Sequence, residues 1–336
     1  MFKPIKLKAL AAVAGACIAM FGSAPASAYV YALSELKIQN FRLDIQPTAV
    51  TTVNSFSFDI TNTASLNGLN SAPSSNSCSG TLAINNCGFA PVLDTAVANA
   101  PGSTLLRAEN NFAFLGTDAV NTYSNADSVI TAAELVTGTP TALKQVAEAL
   151  LNVNGRARAN SEIQSNTGLT VSFSVVGGPA NLDLTFEADP DQRAQISGAV
   201  GIYLAQSNMN SSITLTNNTT GGVINWTPRG SLFNDCSVTG STSTCTETND
   251  GANLNRNVST GTNPSNFENS YDVADVFENF GIRVANLEAG DYTIALNSLT
   301  SVSINRTVPE PGSLALIGLA LLGLGFSASR RQIKQG

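Results

Sequence analysis

The chain has 336 residues, of which 43% are hydrophobic, 12% are charged and none is histidine, with a formal net charge of −7. Without histidine every Ser-His-Asp and Cys-His nucleophile pair is excluded, as are the usual imidazole metal ligands, and no G-x-S-x-G, Walker-type or dinucleotide fingerprint is present. Between residues 29 and 308 there are 23 acidic and 11 basic residues, a net charge of −12, which makes nucleic acid and other polyanions poor partners unless a divalent cation bridges them.

Lys3, Lys6 and Lys8 precede an apolar run from Ala9 to Phe21, and Ala26-Ser27-Ala28 supplies small residues for cleavage. This is the pattern of a signal peptide over residues 1–28, removed by signal peptidase so that the mature chain begins at Tyr29. Strand signals follow at once. Phe41, Leu43 and Ile45 alternate with Arg42 and Asp44, and Phe56, Phe58 and Ile60 with Ser57 and Asp59, the period of a half-buried strand. Leu36 and Ile38 carry the opposite phase, so Asn40 is predicted to bulge or bend the strand, because a one-residue shift inverts the faces.

Cys17 leaves with the leader, and the remaining cysteines fall as Cys78/Cys87 and Cys236/Cys245, each pair nine residues apart in polar surroundings. In an oxidising compartment this reads as two local disulfides, although crossed pairings satisfy the same count. A zinc site would need C-x-x-C spacing or histidine. The stretches Thr61–Cys78 and Ser237–Pro264 lack periodicity and read as loops. Leu143, Val146, Ala147 and Leu150 follow helical spacing, which predicts a short helix over Thr141–Asn152. Leu169, Val171, Phe173 and Val175, then Gly177-Gly178-Pro179, then Leu182, Leu184 and Phe186 read as a hairpin. Further strands are predicted around Ile213 and Leu215, Val223–Trp226, Ile282 and Val284, Tyr292–Leu296, and Val302 with Ile304. Leu287–Tyr292 resembles the corner of Greek-key sandwiches in which a Tyr hydroxyl reaches back to the upstream backbone; an ordinary turn reads the same way.

The chemistry left to a chain without histidine is that of carboxylates. Asp183, Glu187, Asp189 and Asp191, and Asp272, Asp275 and Glu278, are candidates for a pair flanking a glycosidic bond, but no spacing selects two of them, and solvated faces account for the same residues. Asp189, Asp191 and Asp250 are candidate oxygen ligands for a structural Ca²⁺; no other cofactor is expected. Trp226, the sole tryptophan, is either a core residue or an exposed platform for a sugar ring.

At the C-terminal end Val308-Pro309-Glu310-Pro311 precedes the uncharged apolar run 312–328, followed by Arg330-Arg331 and Lys334. About 17 residues at a helical rise of about 1.5 Å cover roughly 25 Å, just enough to cross a bilayer, and the basic end belongs on the cytoplasmic side. The order of these features resembles the PEP-CTERM sorting domain: Pro309, Glu310 and Pro311 match its signature, Leu314–Phe326 its hydrophobic segment, and Arg330 and Arg331 its basic end. The resemblance covers the last 28 residues. It implies a Gram-negative host that makes exopolysaccharide, and processing near the signature by a membrane transpeptidase, exosortase.

The expectation is an all-β, antiparallel sandwich of jelly-roll or Greek-key type at residues 29–307, between a signal peptide and a sorting tail at 308–336 with a transmembrane helix. The expected role is non-enzymatic: an exported protein tethered at the inner membrane with a periplasmic ectodomain, then processed into the envelope or matrix, structural or adhesive in exopolysaccharide or biofilm. A carbohydrate-binding module and a histidine-free glycosidase are the alternatives.

Overall fold

The computed structural model describes residues 28–47, 51–81, 92–118, 120–132, 141–153, 155–163, 169–198, 202–231, 233–261, 267–272 and 274–307, together with Gly318 and Leu321. Among these residues the chain forms β1 (Tyr29–Gln46), β2 (Thr51–Leu66), β3 (Leu69–Asn70), β4 (Ser74–Thr81), β5 (Val92–Asn99), β6 (Tyr123–Ala132), β7 (Thr141–Leu151), β8 (Gly155–Ile163) and β9 (Leu169–Val175). The second half forms β10 (Ala180–Ser197), β11 (Ile202–Asn217), β12 (Val223–Trp226), β13 (Cys236–Thr239), β14 (Thr244–Asp250), β15 (Asn257–Gly261), β16 (Phe267–Tyr271), β17 (Glu278–Leu287) and β18 (Gly290–Thr307).

The strands make two antiparallel sheets. One has eight strands in the order β14-β17-β10-β1-β7-β6-β5, with β16 also on β10; the other has ten in the order β13-β12-β11-β18-β8-β2-β3, with β15 on β11, β4 on β2 and β9 between β18 and β2. The all-β, antiparallel expectation holds, although this strand order does not by itself identify a jelly roll. Alternation works as a folding instruction here: β9 is buried at every second residue, as are β11 and β18 along most of their length, each turning one face to the opposite sheet.

Two apolar cores fill the space between the sheets. One, around Leu36, Phe41, Phe186, Trp226 and Phe280, lies toward the end where β1 and β11 finish. The other, around Val30, Ala194, Ile196, Tyr203 and Ile304, lies where β1 begins and β18 ends. The segment 101–122 covers the outer face of the eight-stranded sheet, where Leu105, Phe112 and Leu115 pack on Tyr31, Leu33, Tyr123, Val146 and Leu150.

This cover explains one departure from the sequence reading. Residues 141–151 are the strand β7, paired with β1 on one side and β6 on the other, and not a helix. Both faces of its second half are buried, so apolar residues fall on both faces and the period of two is lost. The hairpin predicted across Gly177-Gly178-Pro179 is also overturned. β9 pairs with β18 and β2 in one sheet, whereas β10 pairs with β1 and β17 in the other, so the turn carries the chain between layers. Alternation shows which face is buried and says nothing of the partner. The stretches read as loops contain the end of β2, then β3 and β4, and later β13, β14 and β15. These are peripheral, Ser- and Thr-rich strands with few apolar residues to mark a face.

Two local readings hold. Asn40 has φ 57° and sits at the register shift between Gln39 and Arg42. The Tyr292 hydroxyl donates to the Glu288 carbonyl at 2.8 Å and accepts from Asn217 Nδ2 at 3.0 Å, closing the corner before β18.

Candidate functional site

The predicted carboxylates gather partly around one lysine. Lys37 of β1 faces away from the core, opposite Asp189 of β10. Its Nζ lies 2.7 Å from Asp275, 3.0 Å from Asp189, 3.2 Å from Glu35 and 3.7 Å from Asp191. A break in the sheet builds this place. Along the edge of β10, β17 stops pairing at Ala188 opposite Glu278 and β16 resumes at Gln192 opposite Tyr271. Pro190 stands in the gap and has no N–H for a ladder, and the chain between Tyr271 and Glu278 swings out there, carrying Asp275 over Lys37.

Glu35, Asp189 and Asp191 are at most 1% exposed, and burial pushes Glu35 up to about 8 and Asp191 up to about 7, outweighing the nearby ammonium. For the two predicted calcium ligands Asp189 and Asp191 the cation at hand is thus Lys37. An acid whose pKa rises on folding binds more protons folded than unfolded, so its stabilising contribution is complete below the unfolded value of 4.5 and is lost as pH rises through about 8. Glu35→Gln should therefore flatten the fall in urea midpoint on going from acidic pH to pH 8; a slope equal to that of the parent protein would contradict this reading.

The other candidates are dispersed. Asp183 pairs with Arg283 at 3.4 Å, Glu187 accepts from Gln39 and Asn40, and Glu278 packs beside Gly251. Asn40 and Glu187 line a 360 Å³ groove with Arg42, Thr185, Asn249 and Asn279, a polar surface of hydrogen-bonding groups. Trp226 is fully buried, meets the Phe186 ring at a tilt of 55° with centroids 5.8 Å apart, and donates from Nε1 to Glu247 at 3.2 Å. A platform for a sugar ring is excluded at this residue.

Asp250 joins a different group. One carboxylate oxygen from each of Asp235, Glu247 and Asp250 lies within 4.8 Å of the others. Asp250 Oδ2 accepts the Arg229 and Ser231 N–H groups at 3.0 and 3.1 Å, and Glu247 accepts the Asp235 N–H at 2.8 Å. Burial raises the pKa of Glu247, and the neighbouring Asp250 adds to the effect. Oxygens so spaced are of the kind Ca²⁺ takes.

The disulfide Cys236–Cys245 stands beside them, with Cα atoms 6.0 Å apart. Because β13 edges one sheet and β14 the other, it clasps the two layers at their margin. Cys87 lies outside the described residues, so its pairing with Cys78 does too.

The residues that sequence reasoning missed are Glu35 and Lys37, Asp235 and Glu247, and Glu148 and Arg107. Glu148 of β7 accepts the Tyr31 hydroxyl at 2.7 Å, the Tyr123 hydroxyl at 3.0 Å and the Gly116 N–H at 3.0 Å, and pairs with the buried Arg107. A charged residue inside an apolar run, as in Ala147-Glu148-Ala149, was the available signal.

Both ends of the sandwich domain emerge at one pole. Tyr29 pairs with Ser197, and Ile202 pairs with Thr307. Ala28 lies against Gly198, where a Cβ would approach the Ala28 Cβ to 2.3 Å at a φ of 126°. The predicted leader before Ala28, the signature Pro309, Glu310 and Pro311, and Arg330 and Arg331 lie outside the described residues. Of the predicted membrane helix only Gly318 and Leu321 are described, both helical, and among the described residues no helix is long and apolar enough to cross a membrane.

The sequence profile of the PEP-CTERM protein-sorting motif matches residues 307–331. The chain carries a PEP-CTERM protein-sorting motif. No curated protein and no solved structure matches the chain. The PEP-CTERM match begins at Thr307, the last residue of β18, so the motif follows the sheet with no intervening linker. β18 is held by β11 along one side and by β8 and β9 along the other. A PEP-CTERM motif implies an exported, exosortase-processed protein, and a disulfide accords with an oxidising compartment.

Proposed function

We propose that this protein is a non-catalytic component of the cell envelope or extracellular matrix, held briefly at the inner membrane by its C-terminal apolar run and then released or transferred by exosortase. Its role there is structural or adhesive, in a setting of exopolysaccharide or biofilm. The observation that carries the reading is the PEP-CTERM motif starting on the last residue of β18. Several features support it: a two-sheet body clasped at its margin by a disulfide, a weakly charged sequence and the lack of histidine. The rival readings have less support. A carbohydrate-binding module rested on an exposed tryptophan, and Trp226 is buried. A glycosidase needs two carboxylates in an open cleft, whereas Asp189 and Asp191 are buried and the groove beside β10 is lined by one carboxylate, Glu187.

Replacing Pro309, Glu310 and Pro311 together by alanine in the native host tests the reading. The expected result is a longer, tail-bearing form that accumulates in the inner-membrane fraction while the shorter processed form disappears. A processed form of unchanged size and amount would refute it.

A further inference from the structure

Among the described residues exposed apolar side chains fall unevenly between the two poles of the sandwich, with Leu106, Phe114, Phe233 and Val276 exposed elsewhere on its surface. At the pole from which the tail leaves, Leu69 is 57% exposed, Val120 77%, Val153 52% and Ile202 60%. At the opposite pole, among the described residues, Val176 at 64% is the one large exposed apolar side chain. Four different connections supply the first group, and the register holds them at one end. Ile202 stands opposite Thr307. Val153 follows β7, whose Leu150 and Leu151 face Tyr31 and Val30 at the start of β1, and precedes β8, whose Gly155 faces Arg306. Val120 adjoins Thr122, which is hydrogen-bonded to Asn152. Leu69 pairs with Leu66, and the intervening Asn67 accepts the Arg156 N–H at 2.9 Å. Isolated exposed apolar residues are ordinary; a group gathered on one end of the body marks a contact surface.

The length of chain beyond β18 indicates what the surface meets. From Thr307 to the start of the apolar run at Gly312 there are five residue steps, which span at most about 17 Å when fully extended. A bilayer's polar layer is roughly 5–8 Å deep on each side of its hydrocarbon core. The pole is thereby confined to the immediate vicinity of the headgroups whenever the run is inserted.

We propose that this pole is a lipid-contacting surface: Leu69, Val120, Val153 and Ile202 enter the interfacial layer of the membrane, seating the sandwich upright with its other pole outward until the tail is cut. The inference rests on the reading that residues 312–328 span a membrane. Seating also draws the signature at 309–311 close to the bilayer, where a membrane-embedded transpeptidase works.

The test uses the exported, tail-bearing chain reconstituted into phosphatidylcholine–phosphatidylglycerol vesicles. An environment-sensitive fluorophore is placed in turn at V120C, V153C, V176C and L321C, and the quencher is lipid spin-labelled near the headgroup for the first three positions and deep in the acyl chain for position 321, which would lie near the bilayer centre. All four positions are more than half exposed, so the substitutions spare the fold. Quenching at 120 and 153 several-fold stronger than at 176 is the expected result. If 321 is quenched while 120 and 153 match 176, the pole does not touch lipid and the inference fails, leaving a protein partner to account for the patch. If 321 itself escapes quenching, the membrane-spanning reading fails and the inference fails with it.

Discussion

Glu148→Ala is expected to lower the unfolding free energy by about 3–5 kcal/mol, the cost of leaving a buried charge without its partner. Arg107 is 2% exposed, and among the described residues its guanidinium also donates to the Asn111 and Ala113 carbonyls. The same carboxylate accepts from two phenols and from the Leu115 and Gly116 N–H groups, so its removal strands several donors together. Burial, and then the charge of Glu148, raises the pKa of both Tyr31 and Tyr123, keeping them protonated as donors at ordinary pH. Because these bonds fasten 101–122 onto the sheet, the loss should appear as earlier urea unfolding and as new protease cleavage within that segment. Glu148→Gln, which keeps the shape and some acceptor capacity, should fall between the two. A cost below about 1 kcal/mol for the alanine variant, within the range of a surface change, would mean that the cover is held otherwise.

Phe186→Ala should cost a similar amount, about 3–5 kcal/mol, through the cavity it leaves. Its ring stacks on Phe280 at 4.9 Å and on Phe41 at 5.9 Å and meets Trp226 at a 55° tilt and 5.8 Å, so three aromatic rings from β1, β12 and β17 surround this one side chain of β10. β12 belongs to the ten-stranded sheet and the other three to the eight-stranded one; the cavity would lie where the layers join. Emission from Trp226, the sole tryptophan, gives a direct readout, expected to shift to the red already in the native baseline. Phe186→Leu retains much of the volume and should lose distinctly less. Equal losses for the leucine and alanine variants would argue against a packing origin.

How far the sequence reveals this molecule depends on the range over which a signal acts. Strands with one wet face, such as β9, β11 and β18, announce themselves because polarity and burial alternate together. The bulge at Asn40 shows as a change of phase, and the corner at Tyr292 as a short local pattern. β7 is hidden because the cover segment buries its second face, a fact carried by residues some 30 positions upstream. The exchange of sheets between β9 and β10 is hidden because alternation names no partner.

The same distinction governs function. The PEP-CTERM motif is a linear signal and is legible from its residues alone. The cluster on Lys37 is not, since Asp189 is 152 positions away and Asp275 is 238, and their meeting depends on the register of β1 on β10 and on the gap at Pro190. Asp189 and Asp191 were visible as candidates for an ion; that the strand opposite would bring a lysine to them was not. Trp226 shows the reverse limit: an aromatic residue in an alternating strand fits either face, and only the position of β12 over Phe186 decides that it lies inside.

The central claim is that the chain is exported and cut near its PEP-CTERM signature. Intact-mass spectrometry of the protein recovered from inner-membrane, outer-membrane and medium fractions of a native host tests it most directly. The account predicts a species that begins at Tyr29, ends near Pro309, is found outside the inner membrane, and gains two hydrogens on reduction for the Cys236–Cys245 bond and two more for the expected Cys78–Cys87 bond. A species that retains 312–336 and is confined to the inner membrane would contradict it and identify a permanently anchored protein.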